Sequence, residues 1–208
     1  MSMQGRHGEA LFASLCQNPK ANIESVLNVA ANDEHGWDHI VDLKPPKNLD
    51  LPADLHDHLL QCFVQIKTTK RHSPTTKVKL SNAIKAAKSP NPSFIFLFHY
   101  KADTPSPILY GKKIWRNEIE RSLKRAREIS VSDPSRNLYE VYLSMSFEDE
   151  DVISDHPSDW MLKEIAAHGG ANYSINKLAI VNSVGYGEFT NEIKFTFPPT
   201  VSANDIVV

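Results

Sequence analysis

The sequence predicts an α/β protein, a mixed central β-sheet flanked by helices, with a C-terminal α+β extension. Three observations carry that expectation. Segments of helix and strand character follow one another in the order helix, strand, strand, strand, helix, strand, and consecutive strands before a crossover helix favour a mixed sheet with helices against it. Residues 94–100 form a nearly continuous apolar run of the length expected for a strand covered on both faces. The chain has 208 residues, 41% of them hydrophobic, enough for the core of one domain or one and a half; disorder and a minimal stapled fold are excluded.

The elements follow in order. Over residues 4–17, Ala10, Leu11, Phe12, Leu15 and Cys16 lie on a helical stripe that Asn18-Pro19 stops. Residues 23–31 are rich in β-branched and small apolar side chains and break into a polar turn ending at Gly36, the pattern of a strand and turn. Trp37 to Leu43 alternates as a second strand before Lys44-Pro45-Pro46 ends it, and Leu51-Pro52 fits a single helical turn within residues 48–60. Residues 62–67 read as a third strand, residues 68–76 as a polar, basic loop. Val78, Leu80, Ile84 and Ala87 have helical spacing that stops at Ser89-Pro90. Beyond the 94–100 strand, residues 114–129 read as a charged amphipathic helix, 139–145 as a strand, 159–167 as a helix ended by Gly169-Gly170, and 178–184 and 192–197 as two last strands joined by a turn at Gly185-Tyr186-Gly187. A boundary is expected near residue 130, dividing a core over 1–129 from an extension over 130–208 packed on it.

The formal net charge of −2 hides an uneven distribution. Residues 58–128 hold fifteen basic and four acidic side chains, a net +11, and the remainder holds eight against twenty-one, a net −13. Residues 58–102 contain eight basic residues and no acid. Cys16 and Cys62 cannot form a disulfide framework and are expected as small buried thiols in a reduced compartment. Met1 to Glu9 lacks the apolar stretch of a signal peptide, and no run of about 18 apolar residues occurs, so a cytoplasmic protein without a membrane span is expected. The chain ends without a polar tail, consistent with a further domain after Val208.

The residues with chemistry are Glu9, Asp38, Gln65 and Lys67. Side chains on a strand alternate faces, so Gln65 and Lys67 share one face while Val64 and Ile66 share the other. With the Asp38 strand beside them, a carboxylate, an amide oxygen and an ammonium converge. A hard cation such as Mg²⁺ (or Mn²⁺) takes oxygen ligands, here the Asp38 carboxylate, the Gln65 amide oxygen and the Ile66 backbone carbonyl. With Lys67 to orient a nucleophile and neutralise a transition state, the set outlines phosphodiester hydrolysis. Asp33 fits a turn role, and Asp42 lies about 13 Å along the strand from Asp38, too far to share an ion. His35 and His39 flank Asp38, but metal activation of water needs no histidine base; His56-Asp57-His58 lacks metal-site spacing.

Asp38 followed by Gln65-Ile66-Lys67 on a hydrophobic strand, in this element order, resembles the core (αβββαβ) of the PD-(D/E)XK, or restriction-endonuclease-like, superfamily. More narrowly, Gly8-Glu9-Ala10, Gly36-Trp37-Asp38 and Val64-Gln65-Ile66-Lys67-Thr68 resemble nuclease domains of bacterial restriction and anti-phage defence proteins. The resemblance covers about residues 4–100. It implies a metal-dependent endonuclease acting on DNA, with RNA as the alternative substrate. Asp38 takes the place of the metal-binding acid, Gln65 of the second acid, Lys67 of the lysine and Glu9 of the additional acid that some members carry on the first helix. Gln65 departs from the family pattern and leaves less negative charge at the metal; Trp37 stands where the family's name has proline.

Glu9 reads equally as a ligand or as a surface carboxylate. Thr68, Thr69, Lys70, Arg71, Lys77 and Lys79 follow the candidate catalytic strand and carry the hydroxyl and ammonium groups that usually contact phosphate. The same fold also suits a catalytically weak module that binds nucleic acid or a protein partner, and the basic segment suits contacts with another copy or with a defence-system partner.

Overall fold

The computed structural model describes residues 3–29, 36–45 and 59–185. The turn expected before Gly36 (with Asp33 and His35), the helical turn expected within 48–60 (with His56 to His58) and the strand expected at 192–197 lie outside them; so do Tyr186 and Gly187. The elements are α1 (Met3–Cys16), β1 (Glu24–Val29), β2 (His39–Lys44), β3 (Leu60–Thr69), β4 (Thr75–Lys79), α2 (Leu80–Lys88), β5 (Ser93–His99), β6 (Ile108–Lys113), α3 (Arg116–Ser132), β7 (Tyr142–Ser146), α4 (Pro157–Ala167) and α5 (Tyr173–Ser183).

Five strands form a mixed sheet in the order β1-β2-β3-β5-β6, antiparallel throughout except for the parallel β3–β5 pair. A parallel pair needs a crossover, and α2 supplies it, as the helical spacing before Pro90 predicts. Every residue of β5 is buried, because this central strand is covered on both faces. Its even positions, Phe94, Phe96 and Phe98, join Phe12 of α1, Val64 and Ile66 of β3, and Met161 and Ile165 of α4 in one core. Its odd positions Ile95 and Leu97 face a second core with Leu80 and Ala83 of α2, Ile119 and Leu123 of α3, and Leu143 and Met145 of β7. Burying each phenylalanine contributes roughly 1.5–3 kcal/mol, so β5 is the anchor on which the neighbouring strands are placed.

Several expectations need correction. The third strand runs on to Thr69, and residues 75–79, read as loop and helix start, form β4, which pairs antiparallel with β7 as a separate two-stranded ribbon. Only Val78 of β4 is buried, so the segment carries almost no apolar alternation. Residues 108–113 form the edge strand β6, with Gly111 where a Cβ would stand 2.3 Å from Ile153 Cδ1. Of the strand expected at 139–145, Leu138–Glu140 is a short 3₁₀ turn and the strand begins at Tyr142. Residues 178–184, expected as a strand, belong to α5. The buried positions Tyr173, Lys177 and Ile180 recur at helical spacing, a pattern concealed by a lysine in the buried stripe. The expected turn between last strands at Gly185 instead follows this helix. Both thiols are free and buried, as expected, and among the described residues no helix is long and apolar enough to cross a membrane.

Candidate functional site

The site is built where β2 begins beside the middle of β3. Gly36, Trp37 and Asp38 lead into β2, and each is fixed by a different interaction. Gly36 has φ +84°, and a Cβ there would stand 2.2 Å from Asn82 Cγ on α2; only glycine fits both the left-handed backbone and the close approach. Its carbonyl accepts a 2.7 Å hydrogen bond from Gln65 Nε2. Trp37 stacks on Phe63 with ring centroids 4.0 Å apart and planes 3° from parallel. Asp38 donates its backbone N–H to Val64 O at 2.8 Å, and its carboxylate Oδ2 accepts the Ile66 backbone N–H at 2.6 Å.

That last bond sets the geometry. The Ile66 N–H leaves β3 on the β2 edge, and the Ile66 carbonyl leaves on the same edge, since both groups of a strand residue point to one side. Asp38 therefore lies against β3 at the one residue flanked by Gln65 and Lys67. The two flanking side chains project from the same face, in register with Ile95 and Leu97 of β5. Gln65 is buried and Lys67 half-buried. Among the described residues the Lys67 ammonium makes no hydrogen bond and no ion pair.

Gln65 has two roles in this geometry. Because its acceptor partner among the described residues is the Gly36 carbonyl, the amide nitrogen is assigned to that side, and the amide oxygen is the group left to act as a ligand. A cavity of about 20 Å³ beside it, lined by Gly36, Gln65 and Asn82 among others, has room for one water. The donors that could hold a metal are thus all hard oxygens: the Asp38 carboxylate, the Gln65 amide oxygen and the Ile66 carbonyl. No group of three or more His, Cys, Asp or Glu arranged to hold a metal ion occurs among the described residues. This donor set fits Mg²⁺ or Mn²⁺ retaining several waters, not a soft-metal site.

Glu9 lies half-buried on α1. A Cβ at the neighbouring Gly8 would meet the side chains of Thr68, at 2.5 Å, and Ile66, at 3.5 Å; α1 thus covers the face opposite to that of Gln65 and Lys67. His39, the residue after Asp38, is buried and stacked on Phe12 with ring centroids 5.8 Å apart. Neither of its ring nitrogens has a hydrogen-bond partner among the described residues. Burial pushes its pKa down, outweighing the opposing effect of Asp38, so it is a neutral ring that packs rather than a base poised over the strand.

Of the six residues proposed to meet phosphate, Lys70, Arg71, Lys77 and Lys79 are exposed. Thr69 is buried, and its hydroxyl accepts the Arg71 N–H at 3.2 Å inside the turn. Thr68 packs beneath α1. The turn is closed by His99, whose Nε2 donates to the Arg71 carbonyl at 2.8 Å. Sequence reasoning missed Phe63 and Asn82, which hold Trp37 and Gly36 in place. No spacing in the sequence signals either contact, since both join segments distant along the chain. A groove of about 680 Å³, lined by Leu11, Ile108, Val152 and His156 among others, includes none of Asp38, Gln65 or Lys67.

No family model matches the chain, and neither a curated protein nor a solved structure matches it.

Proposed function

We propose that the chain is a metal-dependent endonuclease that hydrolyses DNA phosphodiester bonds, with the active site at Asp38, Gln65 and Lys67 and the restriction-endonuclease-like core as its framework. The observation that carries this reading is the Asp38–Ile66 hydrogen bond, which ties a carboxylate to the backbone of the one residue of the buried strand that Gln65 and Lys67 flank. The order α1, antiparallel β1–β2–β3, crossover α2 and parallel β5 supports it. So does the concentration of exposed basic residues just after β3. The setting suggested by the resemblance is the effector of a bacterial anti-phage defence or restriction system in the cytoplasm.

Asp38, the Gln65 amide oxygen and the Ile66 carbonyl would hold Mg²⁺; Glu9, expected as an additional ligand, sits on the helix that covers the opposite face of β3 and is left out of this set. When bound, Mg²⁺ lowers the pKa of a coordinated water and offsets charge on a phosphodiester oxygen. Lys67 orients the attacking oxygen and neutralises negative charge that develops on the phosphorus centre. Trp37, Phe63 and Asn82 are positioning residues that hold Asp38 against β3, and the low dielectric of the surrounding core strengthens each of these interactions.

One observation favours a second reading, a catalytically weak module that binds nucleic acid or a protein: Gln65 supplies no charge and spends its amide N–H on Gly36. A plasmid-cleavage assay decides between the two. Wild-type protein with Mg²⁺ or Mn²⁺ is expected to nick or linearise the plasmid, chelator to stop it, and Asp38→Ala and Lys67→Ala to be inactive; a structured RNA in parallel reads substrate class. Equal cleavage by all three proteins overturns the site, and no cleavage by the wild type under either metal supports the binding module.

A further inference from the structure

The exposed face of the β4–β7 ribbon carries no acidic side chain. Its cross-strand partners are Thr75 with Ser146, Lys77 with Ser144, and Lys79 with Tyr142. The opposite face, with Val78, Leu143 and Met145, is spent on the core. Beside the ribbon, α3 presents Arg121, Lys124 and Arg125, and with Tyr142, Leu143, Ser144 and a single acid, Glu128, these line a groove of about 440 Å³. A second concavity of about 390 Å³ shares Arg125 and Tyr142 with the first but sets Arg136 among the acids Asp133 and Glu140, so the basic part of the surface lies on the Ser144 side of Tyr142, which is 52% exposed.

The charges along this surface are available. Lys77, Lys79 and Arg121 make no ion pair or hydrogen bond among the described residues. Lys124 meets Glu120 at 3.7 Å and Arg125 meets Glu128 at 2.9 Å, both as exposed pairs on the surface of the helix. Such pairs contribute only about 0.2–1 kcal/mol, so a phosphate can replace either carboxylate at little cost. Hydroxyls and cations interleaved along an extended ribbon are the groups that contact a nucleic-acid backbone, and an exposed tyrosine in a basic groove supplies a face for a base or sugar. The acids Asp149, Glu150 and Asp151, with Lys112 paired to Asp151 at 3.0 Å, follow β7 and mark the end of the ribbon that repels a phosphate.

We infer that the groove between β7 of the ribbon and α3 is a second nucleic-acid backbone site, which holds the substrate strand away from the cleavage centre through Arg121, Lys124, Arg125 and Tyr142, with Lys79, the cross-strand partner of Tyr142, on the ribbon face beside it. The inference rests on the reading of the substrate as a nucleic acid, but not on turnover.

The test measures binding of a fluorescein-labelled DNA duplex in chelator, across a salt series, so cleavage plays no part. Wild type binds with a steep salt dependence. Lys79→Glu/Arg121→Glu lowers affinity at least about tenfold and reduces the slope of log K against log salt by about two, one for each phosphate that is no longer neutralised. The milder Lys79→Gln/Arg121→Gln pair shows the same slope change, and the charge-keeping Lys79→Arg/Arg121→Lys pair retains affinity. Lys163→Ala, which removes an exposed lysine on α4 away from both sites, keeps the wild-type slope. An unchanged slope in both the Glu and Gln pairs overturns the groove while leaving cleavage untouched. Groove-dependent binding by a wild type that never cuts DNA upholds the groove and removes the nuclease reading. Displacement of the duplex by polyglutamate at equal charge concentration identifies an acidic protein as the occupant and also overturns the proposal.

Discussion

Lys67 and Lys177 are two lysines taken out of bulk water, and their surroundings are opposite. Lys177 on α5 is fully buried. Its ammonium donates to Ala86 O at 2.9 Å, Asn91 O at 2.8 Å and Ser93 Oγ at 3.4 Å. All three of its protons are used, two of them on carbonyls at and just beyond the C-terminal end of α2, where a cation is favoured by the helix dipole. Burial nevertheless brings its pKa down from 10.5 to about 7. Lys67, half-buried on β3, has no partner among the described residues. One ammonium ties α5 to α2 and the start of β5; the other, on the residue after the Ile66 that Asp38 binds, has its hydrogen-bonding capacity unspent among the described residues. A structural lysine satisfies its donors within the fold, whereas one kept for a ligand leaves them open.

The sharpest way to break this comparison is to remove each side chain in turn. Lys67→Ala is expected to lower the cleavage rate about 10²–10³-fold, the scale for losing one charge-stabilising donor. Its unfolding free energy should move by no more than about 0.5 kcal/mol, since no partner is left stranded. Lys177→Ala should do the reverse. It leaves a void and a cluster of acceptors in which only the Ser93 hydroxyl remains to donate, to Asn91 O or Ala86 O, at a cost of about 2–5 kcal/mol, while cleavage well below its melting temperature stays near wild type. Denaturant unfolding and plasmid cleavage on the same preparations read both. If Lys67→Ala unfolds the protein, or Lys177→Ala abolishes cleavage while still folded, the division between the two lysines fails.

The next effect in size concerns the segment that places Asp38 beside Lys67. Gly36→Ala puts a Cβ into Asn82 and forces an alanine into φ +84°, a strain of about 1–3 kcal/mol. Because Gly36 also accepts the Gln65 amide, the expected result is a loss of cleavage larger than the loss of stability, and Asn82→Ala in the same chain should recover part of it. Wild-type cleavage by Gly36→Ala would show that Asp38 does not depend on this clamp.

The same residues show how much is legible in sequence. Asp38, Gln65 and Lys67 can be brought together from sequence because strand alternation and strand order are local patterns, and the mixed sheet around β5 follows from an apolar run too continuous for a surface strand. The clamp cannot be read, because Gly36 against Asn82 and Trp37 against Phe63 are contacts between segments far apart in the chain. The helical character of α5 is concealed for a related reason. Tyr173, Lys177 and Ile180 form a buried helical stripe only if a lysine is allowed inside, and the acceptors that permit it, Ala86 O, Asn91 O and Ser93 Oγ, belong to a distant part of the chain. β4 escapes detection for want of apolar content: a ribbon strand with one buried residue has almost no period to follow, and the exposed lysines that mask it are those that flank the proposed groove.

The smallest effect is a slope in stability against pH, and it belongs to Lys177. With its folded pKa at about 7, below the unfolded 10.5, the unfolded chain binds a proton between those values that the folded chain has released. Stability therefore rises with pH across that interval, by about 1 kcal/mol per unit where the difference is complete. Three other groups bound the usable window. His39, also pushed down by burial from 6.5, adds a rise of its own only below that pH. Cys16, pushed up from 9.0 to about 12, and Cys62, raised in the same direction by burial, make stability fall above pH 9, where the thiols ionise in the unfolded chain alone. Between pH 7 and 9 the lysine stands apart, so urea unfolding at those two values should show wild type gaining stability and Lys177→Met losing that gain. Lys67→Met, removing an ammonium that the fold does not use, should keep the wild-type slope; equal slopes in all three proteins would place the buried proton elsewhere.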